Sequence, residues 1–160
     1  MSGIAGPAEA GHRDLILKRT IEAPPAAVYR AWTEPALLQR WFAPRPWTTP
    51  RVELDVRRGG ASLIVMRDPE GNDYPNRSVY LEVDPGRRLV FTDACVSAWE
   101  PSETPFMTVS LTFEEADGKT LYTALVRHWT FNDRKRHEDM GFHDGWGRCA
   151  DQMEQVVARL

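Results

Sequence analysis

A chain of 160 residues with a net charge of −3 has room for one hydrophobic core and carries no basic stripe for a polyanion. Its Lys and Arg residues are scattered, which excludes nucleic acid as the expected partner, and no run approaches the ~20 apolar residues of a membrane span. The start, MSGIAGPAEAGH, lacks the charged head and apolar run of a secretion signal, and the two cysteines, Cys95 and Cys149, have no CxxC or CxxH spacing. Together these predict a cytoplasmic protein with free thiols, a disordered tail over residues 1–12 and a single domain over 13–160.

Leu15, Leu17 and Ile21 fall on one side of an extended run and Lys18, Thr20 and Glu22 on the other, which predicts a first strand. Pro24 and Pro25 suit a helix start, where the missing N–H costs nothing, and Val28, Ala31 and Trp32 then share a face. Pro35 restarts the pattern and predicts a second short helix carrying Leu37, Leu38, Trp41 and Phe42.

From Arg51 to Trp129 the punctuation becomes Gly59-Gly60, Pro69-Glu70-Gly71-Asn72, Asp84-Pro85-Gly86 and Asp117-Gly118. Turn formers at this spacing separate about six short strands of an antiparallel meander. Met107, Val109, Leu111 and Phe113 alternate with Thr108, Ser110 and Thr112, so that strand is expected to bury one face and wet the other. Ser97 to Pro105, with two prolines and two acids, is expected to be an irregular, mobile loop.

The chain ends on an amphipathic helix. Phe142, Trp146, Cys149, Met153, Val156, Val157 and Leu160 recur at spacings of three and four, so they form one stripe. Gly141, Gly145 and Gly147 stand at its head, where a glycine in a helix costs about 1 kcal/mol relative to alanine. Their presence predicts close approach of another element or of a bound molecule. Helices segregated to one face of an antiparallel sheet define an α+β domain, here a curved sheet of about seven strands around a long C-terminal helix.

That element order, with the residues that punctuate it, resembles the helix-grip fold of the START and SRPBCC superfamily, and within it the activator of heat-shock-protein-90 ATPase-like family. The resemblance rests on TIEAPPAAVYRAWTEPALLQRWF near the start, the ELDVRRGG and GNDYPN turns, LVFTDA, and the GFHDGW head of the last helix. It runs from Leu15 to Leu160. It implies a cavity between sheet and C-terminal helix that in relatives holds mostly apolar molecules, and no shared catalytic motif.

Phosphate loops, GxSxG elbows and GxGxxG turns are absent from the sequence, so nucleotide chemistry has no support. His137 and His143 lie six apart and do not share a helical face, so no metal site is expected. His143 is placed to pair with Asp139, four residues earlier, while His128 alternates with Tyr122, Ala124 and Val126 and needs a hydrogen-bond partner if that face is buried. Carboxylates are plentiful, but spacing assigns no pair to acid–base work. Six tryptophans are the stronger signal, because indole offers a large apolar wall and one N–H.

The residues expected to line a site are Tyr80, Phe91, His128, Trp129, Phe142, His143 and Trp146, with Trp41 and Trp47 at its mouth. The first expectation is binding of a small, largely apolar ligand with no cofactor. An alternative is a cyclase, aromatase or hydrolase using His128 or His143 as acid–base group and Tyr80 as donor. A third is a co-chaperone-like or stress-related interaction protein. An exposed edge strand or apolar gate leaves room for a homodimer.

Overall fold

In a computed structural model, which describes residues 11–160, the chain forms an α+β fold with a seven-stranded antiparallel sheet. The expectation for the tail concerns residues 1–12, of which 1–10 lie outside the described residues. The first strand, β1 (Asp14–Ile21), leads to two short helices, α1 (Pro25–Thr33) and α2 (Pro35–Leu38). Pro25 sits in the first turn of α1, and Glu34 between the helices is extended, as a residue before proline prefers. The second helix is shorter than its pattern predicts: α2 stops at Leu38, and Trp41 and Phe42 follow in turns bonded back to the Leu38 carbonyl.

The strands β2 (Thr48–Leu54), β3 (Ala61–Arg67), β4 (Asp73–Asp84), β5 (Arg88–Thr92), β6 (Cys95–Ser97), β7 (Glu100–Pro101), β8 (Met107–Ala116) and β9 (Lys119–His128) follow in order. The large sheet runs β1-β9-β8-β5-β4-β3-β2. Asp117 and Gly118, both at positive φ, turn β8 into β9 and fix a register that pairs Met107 with His128 and Ala116 with Lys119. Pro50 and a register shift fall in β2, an edge strand, where a missing N–H breaks no ladder.

Leu89, Val109, Leu111, Phe113, Tyr122, Ala124 and Val126 form the inner face, covered by α1 and by the last helix. The wet face expected of β8 is only partly so: Ser110 is buried. Ser97 to Pro105 is not wholly irregular either, since β6 and β7 make a small hairpin there. Asp93 Oδ1 accepts the N–H groups of Phe106 and Met107 and closes the base of that excursion.

A helix that the sequence pattern did not predict, α3 (Phe131–Asp139), precedes the last one. None of its residues is fully buried, so it carries no apolar stripe to read; its start is set by Thr130, whose side chain accepts the N–H of Asp133. The last helix is α4 (Phe142–Val157), with Gly141 as N-cap at φ 98°. A side chain is strained at that φ, which accounts for Gly141. Gly145 and Gly147 have no such reason, because a Cβ on either would meet nothing within 4 Å. The space at those Cβ positions is open, although Arg19 of β1 reaches the helix-head backbone and donates to the Gly147 carbonyl at 3.2 Å.

Close approach occurs instead at the Gly59-Gly60 turn. A Cβ on Gly60 would stand 1.9 Å from the Asp55 carbonyl oxygen, so only glycine fits. Gly59 donates to the Tyr80 carbonyl and Tyr80 donates back to Gly60, which locks β4 to the turn at Tyr80.

Candidate functional site

A cleft of about 290 Å³ opens between edge strand β2, the segment 39–47 and α4. Trp41, Ala43, Pro46 and Trp47 supply its apolar wall, and Trp47 lies against Tyr74 of β4 with ring centroids 5.3 Å apart. Gln39, Thr48, Thr49 and Gln152 contribute polar wall, and Arg40 and Arg45 complete the lining with no carboxylate among them. The volume is at the lower end of small-molecule sites.

One residue of α4 builds this cleft. Gln152 is buried, its Nε2 donates to the carbonyls of Trp41 at 2.9 Å and Ala43 at 2.8 Å, and its Oε1 accepts the N–H of Arg45 at 3.0 Å. Neighbouring α4 residues add to the anchor: Cys149 Sγ donates to the Phe42 carbonyl and Arg148 to that of Arg45. The carbonyls of Trp41, Phe42, Ala43 and Arg45 and the Arg45 N–H are thereby satisfied from the helix. Burial pushes the Cys149 thiol up to about 12, so it is a packing thiol and not a nucleophile.

Gln152 has no donor left for a ligand, but Thr49 has. Its hydroxyl oxygen is buried with no hydrogen-bond partner among the described residues. An orphan hydroxyl of this kind costs about 1–3 kcal/mol and calls for an explanation at the site.

Inside the fold, between the sheet and α1–α2, lies a recess of about 10 Å³, room for little more than one water-sized sphere. Trp32, Ile64, Tyr80, Leu89 and Phe91 enclose it. Burial pushes the Tyr80 hydroxyl up to about 12, with Ser62 beside it opposing the shift. Trp41 separates recess from cleft: it lines the cleft and packs edge-on at 4.8 Å against Trp32 of the recess. Its indole N–H donates to the Ala31 carbonyl, and that of Trp32 to the Tyr122 hydroxyl, which burial holds well above the usual phenol range.

A third cluster surrounds the head of α4. His128, on the inner face of β9, places Nδ1 2.9 Å from the Arg13 carbonyl and Nε2 2.9 Å from His137 Nδ1. A carbonyl only accepts, so Nδ1 of His128 carries the hydrogen; in the neutral pair His137 Nδ1 then donates to His128 Nε2. Phe106, Phe142 and Trp146 pack around His137. Burial, then the charges of His128 and Arg136, lower His137 to about 4. Nearby, burial raises the Asp93 carboxyl against the two N–H groups it accepts and the attraction of His128.

The expected site residues thus divide into separate places. Trp41 and Trp47 border the cleft, Tyr80 and Phe91 enclose the recess, and His128, Phe142 and Trp146 belong to the cluster at the head of α4. Phe142 to Gln152 spans roughly 15 Å of helix, so cluster and cleft are distinct. Trp129 and His143 point outward: the first is 45% exposed, and the second, with its side chain 57% exposed, lies 3.8 Å from Glu138 and not beside Asp139. Asp139 pairs with Lys135, because the break at Met140-Gly141 turns the chain between Asp139 and His143.

Gln152 and Thr49 were not among the expected residues. For Gln152 a signal existed: it falls three after Cys149 and four before Val156, a polar side chain on the buried stripe. Thr49 gave none, being one threonine of a Thr-Thr-Pro run.

The described residues include no helix long and apolar enough to cross a membrane, and no group of three or more His, Cys, Asp or Glu side chains able to hold a metal. No curated protein matches the chain. A crystal structure from Nitrosomonas europaea is 41% identical, covers 94% of this chain and 97% of its own, and superposes with a TM-score of 0.91. A Rhodobacter sphaeroides protein shares the fold at 22% identity, with 97% of each chain covered and a TM-score of 0.82. An AHSA1-like protein from Aeromonas hydrophila shares it at 19% identity, covering 91% of this chain and 92% of its own, with a TM-score of 0.70. The family model described as activator of Hsp90 ATPase homolog 1-like protein matches residues 22–158, and the chain belongs to that family.

Proposed function

We propose that this protein binds a small, ring-bearing, largely apolar molecule in the cleft between β2, the segment 39–47 and α4, without a resident cofactor. The observation that carries the reading is the buried Thr49 hydroxyl, left without a partner in the wall of an open cleft. Indole faces at Trp41 and Trp47 supply apolar wall on either side of Ala43, and Gln152 holds that wall in place. Movement of Trp41 would join the cleft to the recess and admit a longer ligand. Free thiols at Cys95 and Cys149 suit the reducing cytoplasm, and the edge strands β1 and β2 offer the surfaces through which a homodimer would form.

The acid–base alternative has less support. Both ring nitrogens of His128 are engaged, His143 is exposed, and Tyr80, which burial keeps protonated as a donor must be, stands in the recess apart from both histidines. A partner-binding role draws on one observation, Trp99, which is 91% exposed at a φ of 64° on the tip between β6 and β7.

Nuclear magnetic resonance tests the binding reading. A library of neutral one- and two-ring compounds is expected to shift the Trp47 indole N–H and the Gln152 side-chain amide signals saturably. If every shift falls elsewhere, or none is seen, the cleft is not the site.

A further inference from the structure

Building on that reading of the cleft, we infer that its ligand carries a carboxylate or equivalent anionic group, held by Arg40 and Arg45 at one end of a flat apolar body. The basis is an imbalance of charge. The imbalance is local to the cleft: arginines elsewhere are mixed, Arg30, Arg51, Arg67 and Arg88 pairing with Glu34, Glu53, Asp73 and Glu82, and Arg58, Arg77, Arg127 and Arg159 having no carboxylate partner among the described residues. Arg40 and Arg45 have none among the described residues, and the cleft lining that includes them contains no acid.

Two arginines without counter-charge in the wall of a cleft that mixes polar and aromatic side chains favour an anion, which guanidinium groups can meet with paired N–H donors. The backbone of Arg45 is fixed at both ends of its peptide unit, its N–H to Gln152 and its carbonyl to Arg148, so this arginine springs from a held position. Thr49 lines the same cleft, and its hydroxyl oxygen, buried and unpartnered in the free protein, would gain a hydrogen bond if χ1 turned it to the ligand. Trp47, backed by its contact with Tyr74, then supplies the face on which a ring lies.

The class of ligand is therefore a small aromatic or cyclic carboxylic acid, and the neutral amide of the same skeleton is the discriminating control. The experiment is a calorimetric titration of the protein with 1-naphthoate and with 1-naphthamide at pH 7 and low salt, paralleled by the Trp47 and Gln152 resonance shifts. The acid is expected to bind at least about tenfold more tightly than the amide, the preference falling as salt rises. R40Q/R45Q should abolish the preference, read as the ratio of acid to amide affinity, and an unchanged ratio would overturn the role of the two arginines; both side chains are exposed, and an unchanged melting temperature checks that the variant retains the fold. Equal binding of acid and amide in the cleft would overturn the anionic ligand and leave the cleft reading intact. If neither compound nor any of the neutral library moves the cleft resonances, the cleft reading itself fails and the inference falls with it.

Discussion

The side-chain oxygen of Gln152 accepts the backbone N–H of Arg45 at 3.0 Å, across 107 residues of sequence. Together with its two donated bonds to Trp41 and Ala43, this makes one glutamine the fastener between the C-terminal helix and the wall of the cleft. Gln152→Ala removes three hydrogen bonds and leaves buried carbonyls unpaired, so it should destabilise the fold by about 3 kcal/mol. Gln152→Glu should cost more at neutral pH, because a carboxylate would replace the amide donor facing two carbonyl oxygens. Urea denaturation of the two variants at pH 7 checks both the size and the order.

The glycines make opposite predictions in two places. Gly60→Ala drives a methyl group into the Asp55 carbonyl and should destabilise by more than about 2 kcal/mol, with loss of the lock at Tyr80. Gly145→Ala meets open space inside a helix and should stabilise by about 0.5–1 kcal/mol. Thermal melts of both variants are sufficient. A destabilised Gly145→Ala would mean that something absent from the described residues packs against the helix head.

His137 sets a pH dependence. Its folded pKa of about 4 lies below the unfolded value of about 6.5. Between those values the unfolded chain binds a proton that the native state does not, so stability falls as pH drops from about 6.5 toward 4 and is fully present above 6.5. His137→Gln should flatten that part of the profile of urea midpoint against pH. An unchanged slope would assign the acid sensitivity to other groups.

The legible part of this fold was what repeats. Alternation in Met107 to Phe113 and the Asp117-Gly118 turn predicted β8 and its hairpin, and the stripe from Phe142 to Leu160 predicted α4, which ends at Val157 and leaves Leu160 exposed. Helix α3 escaped because its polar and charged side chains leave no period, and only the Thr130 cap marked it. Irregular sequence hid β6 and β7, which are too short to show alternation.

At the site, composition pointed to Trp41 and Trp47, because large aromatics in a proline-rich segment stand out in any chain. Burial of a polar side chain is different: it depends on what lies opposite. His128 found its partner nine residues on, across the turn from β9 into α3, and Gln152 found its partners in a segment more than a hundred residues earlier. At the helix head the left-handed φ accounts for Gly141, while Gly145 and Gly147 face open space. The cleft lies farther along the same helix.

The central claim is that the cleft beside Thr49 is a binding site, and Thr49→Val tests it most directly through two readouts on one variant. Valine keeps the shape and removes the orphan hydroxyl, so the free protein should gain about 1 kcal/mol in stability. Affinity for 1-naphthoate should fall by about tenfold, the value of one lost hydrogen bond. The cleft is a binding site if the variant is more stable than the parent and weaker in binding, and is not if affinity is unchanged or stability is lost.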